Sequence, residues 1–215
     1  MAGAIAPKTP RSNLVAWVAV PLLVLPLGLP VGRFALIRWD QHRAEAAAQA
    51  ELTRPQPEPA AYGVLGGIRL EQGRLAEALP LLQQAAVWEA AQARDTRDSL
   101  CLAKAEIDGA AQGIPGASKD AAAQALRQAE RLAAGLASGK QAQTYFSAGL
   151  FWRQMGRPDE ALKDLRLAVR LQPDDWVDLG PAEGRGKTSG LAGYYQKMLA
   201  AAEQDRAALT AGGKP

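Results

Sequence analysis

Beyond residue 58 the apolar positions of this chain return at intervals of three and four, the period of helices that bury one face. Ala78, Leu82 and Ala85 keep that spacing, as do Ala122, Leu126 and Ala129, and again Ala161, Leu165 and Ala168. Towards the end, Leu191, Tyr194, Tyr195, Met198, Leu199 and Ala202 form another stripe, with Gln196, Lys197, Glu203, Gln204, Asp205 and Arg206 on the polar side. Breaks fall between the stripes. Gly156 ends one helix where a left-handed residue is needed, and the run Gly113-Ile114-Pro115-Gly116 ends another. Pro158 then opens a helix, its fixed backbone angle suited to the first turn and Asp159 and Glu160 suited to the positive end of the helix dipole. The pattern predicts an all-α fold.

The first forty residues follow a different pattern. Leu14 to Gly32 reads LVAWVAVPLLVLPLGLPVG, nineteen residues without a charge, and about twenty apolar residues span a bilayer core as a helix. Pro21, Pro26 and Pro30 are better tolerated in a membrane span than in a soluble helix. Trp17 and Trp39 suit interfacial positions, and Lys8, Arg11, Arg33 and Arg38 flank the run. No Ala-x-Ala site of the signal-peptide kind follows it directly. The expectation is a transmembrane anchor over 14–37 behind a tail of 1–13. Basic residues nearly balance across it, which leaves the orientation open. Trp39 to Leu52 reads as a juxtamembrane helix that ends at Pro55-Gln56-Pro57-Glu58-Pro59, an extended spacer, so 38–58 form the link to the rest.

Composition narrows the chemistry. Alanine is abundant, and runs of Val, Ile and Thr are scarce outside the first forty residues, which favours helix over strand. The net charge is +3, but lysines and arginines are interleaved with 22 acids, unlike the clustered basic face of a nucleic-acid binder. Cys101 is the only cysteine and His42 the only histidine, so there is no disulfide within the chain, no cysteine zinc cluster and no histidine-based triad. Cys101 sits in an apolar run as a small hydrophobe. Gly184-Arg185-Gly186-Lys187-Thr188 ends like a phosphate loop, yet the glycine required five residues before Gly186 is Pro181, and the register of that loop is lost. Asp174, Asp175 and Asp178 lack the spacing of a calcium loop. No catalytic residue, metal ligand or cofactor is expected.

Two segments repeat. Residues 142–173 read AQTYFSAGLFWRQMGRPDEALKDLRLAVRLQP, with Trp152 as a second aromatic and Pro173 at the close, and Tyr145, Ala148-Gly149, Gly156, Ala161, Leu165 and Ala168 find counterparts in residues 59–92. There Tyr62, Leu65-Gly66, Gly73, Ala78, Leu82 and Ala85 fall at matching offsets, with Arg69 in place of the second aromatic. This pattern resembles the tetratricopeptide repeat, a helical hairpin of about 34 residues. The two units start 83 residues apart, which leaves room between them for one longer, degenerate repeat. Its first helix is expected from about Arg94 to Ala111 and its second from Lys119 to Leu136. The reading is a repeat at 59–92, a degenerate one at 93–141, a third at 142–175, a loop at 176–187, and a capping helix and tail at 188–215, beginning at Thr188.

The resemblance implies a solenoid whose first helices line a groove for peptides or helices. The positions it carries over are Gly63, Gly67 and Leu70 in the first repeat, and Gln143, Phe146, Leu150 and Arg153 in the third. Family members that clamp a C-terminal carboxylate use Lys and Asn where this chain has Gly63 and Gly67, or Phe146 and Leu150, so that clamp is absent and the groove is expected to be small and apolar. Partner contacts are expected at Phe146, Leu150, Arg153, Gln143 and Leu70. The chain looks like the bacterial anchored proteins of this family. That likeness implies a non-enzymatic adaptor at the inner membrane, with protein partners and membrane lipid but no nucleic acid; the short basic tail before the span leans towards a periplasmic larger part, the orientation staying open. The alternative is a permanent accessory subunit of a membrane complex, packed through its membrane helix.

Overall fold

The computed structural model describes residues 41–172, 176–178, 185–187 and 190–212. The chain divides into two compact units, Met1–Ala44 and Glu45–Pro215. Of the first, residues 41–44 are described and are helical. Helix α1 covers 41–52, and its part from Glu45 onward belongs to the second unit. There follow α2 (Pro59–Glu71) with α3 (Leu75–Gln92), α4 (Arg97–Gln112) with α5 (Lys119–Ala133), and α6 (Ser138–Gln154) with α7 (Pro158–Leu171). A short antiparallel pair, β1 (Trp176–Asp178) and β2 (Arg185–Lys187), precedes α8 (Leu191–Gly212).

Helices α2 to α7 form three hairpins stacked in chain order, with α3 packed on α4, α5 on α6, and α7 on α8. The turns use the left-handed region at Gly73 (φ +72°), Gly113 (φ +69°) and Gly156 (φ +76°), where a β-carbon would be strained. Within the first and third hairpins one contact recurs. A β-carbon built on Gly66 would lie 2.8 Å from Leu82 Cγ, and one built on Gly149 would lie 2.7 Å from Leu165 Cγ. These glycines let the paired helices approach until leucine meets backbone, at equivalent places in the two repeats. Ala103 and Leu126, both fully buried in the core shared with Ala148, Trp152 and Ala161, join the middle hairpin to the third.

Arg69 stands where the third repeat has Trp152, and the fold explains the exchange. The guanidinium is buried, ion-paired with Glu45 from α1, 3.4 Å from Glu77 and hydrogen-bonded to Gln72 at 2.9 Å. Ala48 and Leu52 of α1 pack on Ala61, Leu65 and Leu81. The first hairpin therefore has a helical flank on its outer side, held by charge as well as by apolar contact.

The expected fold class is corrected in one respect, and the C-terminal stretch takes a more detailed form. The transmembrane anchor over 14–37 lies outside the described residues, and no described helix is long and apolar enough to cross a membrane. The longest, α8, has 22 residues but carries Lys197, Glu203, Asp205 and Arg206, and charges at the centre of a bilayer are costly. Among the described residues the fold is thus a helical-repeat unit with no helix that could span a membrane, and lipid or membrane-helix partners find no support in it. Segment 176–187 holds a strand pair, Trp176 facing Lys187 and Asp178 facing Arg185, where a loop was expected. Three-residue strands are too short to show alternation. The last helix begins at Leu191, after Gly190 (φ +85°) whose carbonyl accepts from Tyr194 N at 3.0 Å; Thr188 lies outside the described residues.

Candidate partner-binding surface

Four of the five expected contact residues lie on α6, and Leu70 lies on α2. Gln143 is exposed. Leu70 is half-buried against Ala78, Leu79 and Leu82. Phe146 is only 8% exposed. Its ring stacks on Tyr195 of α8 with centroids 4.0 Å apart and planes 10° apart, and it also lies 5.4 Å from Tyr194. Leu150 packs against the same cluster, and Arg153 Nε donates to Asp205 at 2.5 Å. Helix α8 stands to α6 and α7 as α4 stands to α2 and α3. It therefore gathers the three into one place, burying Phe146, packing on Leu150 and pairing with Arg153, whose side chain stays 34% exposed.

The equivalent place on the first hairpin is lined differently. Gly63 and Gly67 occupy in α2 the offsets that Phe146 and Leu150 occupy in α6, so no side chain projects there. Nothing lies within 4 Å of a β-carbon at Gly67, and one at Gly63 would be 2.5 Å from Asp98 Oδ1. A cavity of about 240 Å³ lies between the start of α2, the second half of α3 and the start of α4, with Gly63, Val64, Trp88, Glu89, Asp95 and Asp98 among its lining. Val64 is 40% and Trp88 47% exposed.

One buried carboxylate fixes this corner. Glu89 of α3 accepts from the Asp98 and Ser99 amides, both at 2.8 Å, and from Ser99 Oγ at 2.5 Å. It satisfies the free amides of the first turn of α4, because the helix's own capping residue, Thr96, uses its hydroxyl on Thr144 at 2.7 Å. Burial pushes the Glu89 carboxyl up from the ordinary range, and the Ser99 hydroxyl draws it back. Burial also raises Asp98, against the pull of Arg97. Among the described residues no donor reaches either Asp98 carboxylate oxygen.

Residues 142–175 match the family model of the tetratricopeptide repeat. No curated protein and no solved structure matches the chain. The matched tetratricopeptide repeat contains all of α7 and most of α6, and the helices before it form two further stacked hairpins. Neither observation bears on the membrane-anchored bacterial type.

A second buried acidic site lies where α5 meets the matched repeat. Glu130 of α5 accepts from Trp152 Nε1 at 2.9 Å and from Lys163 Nζ at 3.4 Å. Beside it Asp164 is 1% exposed, with no hydrogen-bond partner for either oxygen, and Lys163 Nζ is 4.0 Å away. Burial, and then the negative charge of Glu130, push the Asp164 carboxyl up to about 7. This pair sits inside the joint between the middle and third hairpins, away from the cavity beside Trp88. Elsewhere Cys101 is half-buried and burial raises its thiol, the opposite of what a reactive thiolate requires. Lys187 lies in β2 opposite Trp176, whereas a phosphate loop places its lysine at the opening of a helix.

Sequence reasoning placed the site on α6 and, through Leu70, on α2, and passed over Val64, Trp88 and Asp98. A signal for Trp88 was present. The buried positions of α3 are Leu75, Ala78, Leu79, Leu82, Ala85, Ala86 and Glu89, and Val87-Trp88 falls outside that stripe. Asp98 had no such signal, since its place beside Gly63 depends on how two hairpins stack.

Proposed function

We propose that this unit is a non-catalytic scaffold that binds other proteins, as an adaptor in building or holding a larger complex. The observation that carries the reading is the repeated glycine–leucine contact in stacked hairpins, one of which matches the tetratricopeptide repeat. Such stacks expose a long, continuous surface from rigid helices and are used for binding. A partner that leaves α8 in place meets Gln143 and the cavity beside Val64 and Trp88. One that displaces α8 gains Phe146, Leu150 and Arg153 as well. An aromatic, an aliphatic and an arginine are the kinds of side chain that dominate interface energy.

The test is gentle affinity purification of the full chain with cross-linking and mass spectrometry, in wild type and in a Val64→Asp, Trp88→Ala variant. A protein retained saturably by wild type and lost from the variant is the expected result. Failure of wild type to retain any protein saturably overturns the reading.

A further inference from the structure

We propose that the cavity between α2, α3 and α4 receives one basic side chain, an arginine or a lysine, from an extended segment of a protein partner. The proposal rests on the scaffold reading and specifies what that cavity recognises.

The cavity exists because Gly63 carries no side chain at an offset where the third repeat has Phe146. Asp98 fills part of that room, its Oδ1 close against α2. Its main chain is pinned, since Glu89 holds both the Asp98 and Ser99 amides at 2.8 Å. The carboxylate is half-buried, feels the charge of Arg97 and has no described hydrogen-bond donor, so its oxygens face the cavity with acceptor capacity to spare. A carboxylate in that condition gains most from a cationic donor. The walls fit the rest of such a side chain. Val64 and Pro59 offer an aliphatic surface for the methylene stem, and the exposed indole of Trp88 offers a face for the cation. At about 240 Å³ the space lies below the roughly 300–1,000 Å³ of sites for drug-sized ligands and suits a single side chain.

The remaining charges define the limits. Both Glu89 oxygens are engaged by α4, and Asp95 Oδ1 accepts from the Thr96 amide at 2.7 Å. Arg94 and Arg97 also line the cavity. They disfavour a second positive charge nearby, so the site takes one basic residue within a neutral or acidic segment, not a polybasic run.

The experiment is a titration of the ¹⁵N-labelled full chain with the peptides Ac-Ala-Arg-Ala-NH2, Ac-Ala-Gln-Ala-NH2 and Ac-Ala-Glu-Ala-NH2, following the Trp88 indole and the Ser99 amide. The arginine peptide is expected to shift both signals saturably, the glutamine peptide to bind about tenfold more weakly, and Asp98→Asn to weaken the arginine peptide about tenfold with an unchanged unfolding midpoint. Trp88→Ala, a change at an exposed side chain, gives an independent loss should Asp98→Asn disturb folding. Equal binding of the glutamine peptide, stronger binding of the glutamate peptide, absence of any saturable shift, or full binding by both variants overturns the proposal. If the peptides fail while wild type still retains a partner, only the basic-side-chain site is lost. If wild type retains no partner, the scaffold reading itself is lost.

Discussion

The ring of Phe146 lies flat on that of Tyr195, with centroids 4.0 Å apart, and this one contact joins the last repeat to the terminal helix. Around it Leu150, Leu191, Met198 and Leu199 close an apolar cluster. Beyond Ala202 the described residues of α8 are exposed. Their links to the repeat are the ion pairs Arg153–Asp205, Arg166–Glu203 and Arg206–Asp159 at 2.5–3.0 Å, and exposed pairs of this kind contribute about 0–1 kcal/mol each.

Phe146→Ala is therefore expected to cost about 3 kcal/mol of stability, the lower part of the range for removing a buried phenylalanine. Asp205→Ala is expected to cost under about 1 kcal/mol. Urea unfolding followed by circular dichroism measures both. If Phe146→Ala unfolds at the wild-type midpoint, α8 is not held through this ring.

The helical glycines divide by their surroundings. Alanine at Gly149 brings a β-carbon 2.7 Å from Leu165 Cγ and 3.2 Å from the Ala161 carbonyl. Overpacking of this kind costs about 1–3 kcal/mol, more than the ~1 kcal/mol gained in helix propensity. At Gly67 the space is open, so the same substitution is expected to stabilise by about 0.5–1 kcal/mol. Opposite shifts in thermal midpoint are the predicted signature, and a stabilised Gly149→Ala would contradict the close approach of α6 and α7.

Asp164 links stability to pH. Its carboxyl is pushed from 3.8 to about 7 by burial and by Glu130, so the folded state holds this proton more tightly than the unfolded chain. The stabilisation is complete below the unfolded value and is lost as pH rises through about 7. Asp164→Asn keeps the shape and removes the titration. The stability difference between variant and wild type should grow in the variant's favour from pH 4 to pH 8, by an amount on the order of a few kcal/mol. A difference that stays flat across that window means that Asp164 titrates normally.

The local order of this chain was written into its sequence. Helical period, turn glycines and helix-opening prolines act over a few residues, and Gly66–Leu82 and Gly149–Leu165 could be matched by offset alone because each pair lies within one hairpin. The third repeat, where every signature position is filled, was the most legible. What the tertiary structure decided involves residues from different hairpins. Phe146 reads as a groove residue by its position in the repeat, and only the packing of α8 makes it a core residue. Arg69 reads as a lapse from the aromatic pattern until Glu45, 24 positions earlier, neutralises it. Asp98 reads as an ordinary first-turn acid until it lies against Gly63, in a corner held by Glu89. Period and propensity are properties of neighbours along the chain, whereas burial, ion pairing and the shape of a cavity depend on which helices meet, and stacking settles that.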